Sequence, residues 1–156
     1  MSKSSSGDHP AVVWFRRDLR LTDNPALQAA IASGRPILPL FIFETAPPQR
    51  ERGAASHWWL GRSLAALARS LEGIGSGLIL QRGEPAKILA ELATTHGAVF
   101  WNRVYEPTAM TRDVALEADL RAHGLEVETF NASLLSEPDA VKTKTCLLYT
   151  SPSPRD

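Results

Sequence analysis

Five short apolar runs, each closed by turn residues and followed by a helix-length stretch, constrain this chain most. They are Ala11–Phe15, Ile37–Phe43, Leu78–Gln81, Ala98–Trp101 and Leu125–Phe130. β-Branched or aromatic residues recur in them, as in strands. Ile37–Phe43 is continuously apolar, which predicts burial on both faces. Pro39 within it removes one ladder donor, so the sheet must tolerate a missing hydrogen bond there. Strands that alternate with helices form parallel sheets with crossovers on both sides. The expected fold is α/β: a Rossmann-like five-stranded parallel sheet with helices on both faces.

The intervening stretches carry helix signals. Asn24-Pro25 is a strong start, because Asn caps free N–H groups and Pro lacks a donor that would be orphaned anyway. That helix should end at Ser33-Gly34. A charged, Pro-rich loop over Thr45–Gly53 leads into a long helix, Ala54–Glu72, with Leu60, Leu64, Leu67 and Leu71 on one stripe. Further helices should begin at Gly83-Glu84-Pro85, with Ile88, Leu89 and Leu92 inward, and at Thr108, the last running to His123. In such sheets ligands sit outside the carboxyl ends of the strands. No GxGxxG follows the first strand and there is no P-loop, so ordinary dinucleotide and NTP sites lose their main support.

Composition narrows the function. Lys plus Arg equals Asp plus Glu at 17 each, for zero formal net charge. A domain that grips DNA by itself is usually basic, so this piece is not expected to bind nucleic acid strongly. Cys146 is the sole cysteine, and the four histidines show no ligand spacing, so no metal site is expected. The polar start, residues 1–10, reads as a disordered Ser-rich leader rather than a secretory signal. No apolar run approaches the ~20 residues that span a bilayer. The chain reads as cytoplasmic, with no membrane partner, and monomeric.

The segment Val13–Leu27 is the most specific. A strand ends in Trp14-Phe15-Arg16, followed by Asp18-Leu19-Arg20 and Asp23-Asn24 before Ala26-Leu27. It resembles the opening of the DNA photolyase/cryptochrome family at every fixed position. Ser56–Leu67, Leu80–Pro85, Trp101-Asn102 with Tyr105-Glu106-Pro107, Arg112-Asp113 and Asn131–Thr143 resemble later parts of the same domain. Arg16, Arg17, Asp18, Arg20 and Asp23, followed by the neutral Asn24, crowd charges into one loop, and those charges must pair to be partly buried. Their expected role is to rigidify that loop or a domain interface.

The resemblance implies an N-terminal antenna-binding domain of a deoxyribodipyrimidine photo-lyase. Such an antenna is a deazaflavin, another flavin or a reduced folate. The parent protein would hold FAD in a separate helical domain, which takes pyrimidine-dimer DNA by base flipping. No catalytic residue is expected here, and this piece alone should not repair DNA. Phe43, Glu44, His57, Asn102, Tyr105 and Glu106 lie at one sheet edge and are the candidate antenna contacts. Rings can stack on a planar chromophore, and Asn and Glu can bond its edge. Trp58 and Trp59 are expected to pack against the sheet. Folate-binding members carry an Asn-Glu pair where this chain has Thr108 and Ala109, a departure that leaves the antenna's identity open. A cryptochrome-type blue-light photoreceptor and a stand-alone α/β chromophore or nucleotide binder are the alternatives.

Domain limits follow. Residues 11–135 form the α/β domain and 136–145 the start of an interdomain linker. At Cys146 the family pattern stops. Cys146–Asp156 (CLLYTSPSPRD) matches, residue for residue, the translation of a transposase adapter used in sequencing libraries. The expectation is a non-native read-through tail on a truncated frame.

Overall fold

The structure is a computed structural model and describes residues 9–44, 53–93 and 97–137. Most of the leader, the loop before the long helix, and the linker and tail from 138 onward lie outside the described residues. The element order is β1 (Ala11–Phe15), α1 (Pro25–Ala32), β2 (Ile37–Glu44), α2 (Ala54–Glu72), β3 (Ile79–Gly83), α3 (Pro85–Ala93), β4 (Ala98–Asn102), α4 (Pro107–Ala122) and β5 (Glu126–Phe130).

All five strands are parallel, in the order β3-β2-β1-β4-β5. The expected Rossmann-like sheet is therefore present. β1 lies at the centre, with Trp14 in register with Leu40 of β2 and Trp101 of β4. All five β1 residues are buried, because each face of the strand is covered. Alternate residues feed two cores. Val12 and Trp14 join Leu40, Ile42, Val99 and Trp101 under α3 and α4. Ala11, Val13 and Phe15 join Ala98 and Phe100 under α1 and α2. Connections run outward from β1 through β2 to β3, and from β4 to β5. The reversal between β1 and β4 is a topological switch point, where a crevice opens at the carboxyl ends.

Pro39 does little harm. Pairing with β3 begins one residue later, at Leu40, so β1 is its only neighbouring strand. Some boundaries differ from the sequence expectation. β3 starts at Ile79 and extends to Gly83, because pairing with Phe43 and Glu44 carries it past Gln81. α4 begins at Pro107, which takes the first helical position in place of Thr108. Leu125 closes the α4 turn by donating to the Leu120 carbonyl, so β5 starts at Glu126. Leu64, Leu67 and Leu71 are buried as the stripe requires, but Leu60 is only half-buried. The first turns of α2 thus outrun the core.

Candidate functional site

The loop after β1 is held by a knot of amides and carboxylates. Asp18 accepts from the Arg16 backbone N–H at 2.9 Å, which bends the chain as it leaves the sheet. Asn24 caps α1, its Oδ1 accepting from the Leu27 N–H at 3.2 Å. Asn102, at the end of β4, donates to Asp18 and, at 2.8 Å, to Asn24 Oδ1. Its own Oδ1 accepts from the Ala26 N–H at 3.2 Å. Asn24 and Asn102 are 0% and 3% exposed, so this knot fills the crevice at the switch point with protein groups. Arg20 reaches the Asp23 carbonyl at 3.0 Å and the Ala132 carbonyl at 3.1 Å. Asp23 takes a left-handed conformation, φ 51°, which a short polar side chain tolerates.

Beside the knot lies an open cleft lined by Trp14, Arg16, Arg17, Glu44, Glu106 and Arg112, among others. Its charges answer one another. Asp113 of α4 holds Arg16 through both guanidinium nitrogens, the longer contact at 3.2 Å. Both partners are buried, at 6% and 10% side-chain exposure. Arg16 also lies over the Trp14 ring, 4.4 Å from its centroid. Arg112 pairs with Glu44 and, at 3.3 Å, with Asp113. Arg17 and Glu106 pair at 2.7 Å where both are exposed.

Of the six candidate antenna contacts, the cleft gathers Glu44 and Glu106. Asn102 is consumed by the knot. Phe43 is half-buried and packs edge-on to Phe41, with centroids 5.0 Å apart. Tyr105 turns the other way and donates to Glu137 at 2.9 Å. Burial raises its pKa above 10.0, and the Glu137 bond and charge add to that. His57 is exposed on the first turns of α2. Sequence reading missed Arg112 and Asp113 as site residues. Their signal was two adjacent charges on a helix whose buried face includes position 113.

The two tryptophans expected to pack against the sheet do not. Trp58 and Trp59 are 61% and 67% exposed, because both lie off the inward stripe of Leu64, Leu67 and Leu71. Their ring centroids are 6.3 Å apart with planes tilted by 37°. The Arg62 guanidinium lies over Trp58, 5.2 Å from its centroid. Side by side they make an exposed aromatic patch on the described surface. Among the described residues no cluster of metal-ligating side chains occurs, and no helix is long and apolar enough to cross a membrane.

The profile that describes the DNA photolyase family matches residues 11–152, so the match runs past Cys146, where the sequence was expected to leave the family pattern. The chain belongs to the DNA photolyase family. It is 49% identical over 138 residues to the deoxyribodipyrimidine photo-lyase of Agrobacterium fabrum, covering 86% of this chain and 28% of that protein. It is 42% identical over 134 residues to Cryptochrome-1 of Arabidopsis thaliana, covering 82% of this chain and 19% of that one. The crystal structure of a bacterial class III photolyase from Agrobacterium tumefaciens superposes with a TM-score of 0.78 at 43% identity, covering 92% of this chain and 30% of that chain. This chain thus spans under a third of the photolyases it matches. It corresponds to their N-terminal α/β domain. In photolyase terms the Val13–Leu27 signature is the strand, knot and cap just described.

Proposed function

We propose that this chain is the light-harvesting domain of a deoxyribodipyrimidine photo-lyase. The 49% identity to the Agrobacterium photo-lyase carries the reading. The parent would continue into a helical domain that holds FAD and takes pyrimidine-dimer DNA, and would act as a monomer. The chemistry FAD supplies in such an enzyme is light-driven electron donation to the dimer, and none of this chain's residues is assigned to it.

What this chain's residues do is hold the antenna. In the cleft, the arginines already pair with Asp113, Glu106 and Glu44. Its aromatic floor, Trp14, is 1% exposed. A planar ring finds no open aromatic face there. On α2 two exposed indoles, Trp58 and Trp59, lie side by side, and the Arg62 guanidinium sits over one face of Trp58. Stacking on exposed indoles suits a flavin, deazaflavin or pterin equally, because each presents a π-face. We therefore place the chromophore on Trp58 and Trp59. Of the six contacts expected from sequence, His57 is the one next to them in the chain.

Two experiments test this. The reading frame, sequenced from source DNA across Thr145 and Cys146, should continue into several hundred helix-forming residues. The full-length product should split cyclobutane dimers under blue light, and Trp58→Ala/Trp59→Ala should remove the antenna's absorption while FAD absorption stays. Antenna absorption retained in the double variant would refute the stacking site. The 42% identity to an Arabidopsis cryptochrome favours a second reading, a blue-light photoreceptor. A full-length protein that binds FAD yet leaves dimers intact would decide for it.

A further inference from the structure

The four tryptophans form two pairs. Trp14 and Trp101 meet edge-on in the core, centroids 5.8 Å apart, and Trp58 and Trp59 lie side by side on the surface. In each pair one ring carries a guanidinium: Arg16 over Trp14, Arg62 over Trp58. Among the described residues no cation lies over Trp59.

This asymmetry has a chemical consequence. Indole is among the most easily oxidised side chains, and a photo-excited flavin-class ring is a strong one-electron oxidant. A cation over a ring is attracted to the neutral π-cloud. Once the ring loses an electron, the same cation repels the positive charge left behind, and that repulsion grows as the separation shrinks. Arg62 therefore makes Trp58 harder to oxidise. Trp59 has nearly the same exposure, 67% against 61%, so access does not distinguish the two. Both also lie within the first two turns of α2, where the helix dipole acts on them alike.

We infer that Trp59, not Trp58, is the electron donor of the pair toward a photo-excited planar ligand, with Arg62 holding Trp58 back. One electron leaves the Trp59 indole for the excited ligand, giving an indole radical cation and a reduced ligand radical. Its return restores both and releases the light energy as heat. Trp58 is then the face that can hold an excited ring without discharging it, and Trp59 sets the leak. The inference rests on the stacking reading above.

The test uses the 156-residue chain with FMN as probe. Binding is read by anisotropy and the bound FMN excited-state lifetime by time-resolved emission. Trp59→Phe should lengthen that lifetime about threefold or more, and Trp58→Phe should change it little. With Arg62→Leu present, Trp58→Phe should lengthen it as well. All three sites are exposed, so the variants keep the fold, which circular dichroism checks. Equal lengthening by Trp58→Phe and Trp59→Phe with Arg62 in place overturns the inference. A flat binding isotherm refutes stacking of a flavin but leaves a second measurement: FMN-sensitised photo-oxidation in free solution, mapped by tandem mass spectrometry. Trp59 should oxidise several-fold more than Trp58, and Arg62→Leu should bring them level. Equal yields with Arg62 present sink the idea.

Discussion

Replacing Asp113 by Ala should be the most damaging single change at the cleft. Arg16 and Asp113 are buried at 6% and 10% side-chain exposure and 97 residues apart in sequence. The variant leaves the buried guanidinium over the Trp14 face without the carboxylate that held both its nitrogens. Breaking a buried pair from one side costs about 3–5 kcal/mol. A domain of this size has roughly 5–15 kcal/mol of total stability, so the loss is a large fraction. Unfolding entropy of about 2.1 cal/mol/K per residue, over roughly 120 ordered residues, converts that to a melting-point drop of about 12–20 °C. Urea unfolding followed by far-ultraviolet circular dichroism gives the free energy, and thermal melts give the drop. Arg16→Met/Asp113→Leu removes both charges together and should recover most of the loss. Arg17→Ala is the control: its pair with Glu106 is exposed on both sides, and its loss should stay near or below ~0.5 kcal/mol. An Asp113→Ala variant within about 1 kcal/mol of the parent would refute the view that the pair is desolvated and holds α4 to β1.

Asn24→Ala removes the α1 cap and one partner of Asn102, and should cost about 2 kcal/mol or more in urea unfolding. Gly97→Ala drives a methyl group into the Ala93 carbonyl, with the Pro10 carbonyl 3.1 Å away, so expression as soluble folded protein should fall sharply. Tyr105 has a raised folded-state pKa, so its contribution is present below pH 10.0 and lost as pH rises through the folded value. Tyr105→Phe should therefore flatten the decline of stability above about pH 10, read by urea midpoints across a pH series.

Most of the sheet was legible because each buried strand is a short apolar run. β1 and β4 bury every side chain and β2 buries its middle four, and their sequences say so without alternation. Asn24-Pro25 marked α1 because capping is local chemistry. The strand order was not legible, since pairing of β1 with both β2 and β4 depends on contacts far apart in sequence. The site was harder for the same reason. Asn102 looks like a ligand contact at a strand end, yet its amide is committed to Asp18, Asn24 and Ala26, which only the fold brings near. Trp58 and Trp59 look like core residues by type. Their angular position on α2, off the Leu stripe, is what exposes them, and that phase was readable from Leu64, Leu67 and Leu71.

The knot at the switch point also bears on how the chain is made. The Asn24 cap of α1 is itself steadied by Asn102, which is synthesised 78 residues later. At about 5–20 residues per second, roughly 4–16 s separate the two on the ribosome. Through that interval α1 has its own Asn24 cap but not the amide that fixes it, and β1 lacks one of its two neighbours. The first half of the domain therefore waits, unconsolidated, for β4. Slowing translation between these points lengthens the time for which the apolar β1 and β2 runs are open to chaperones.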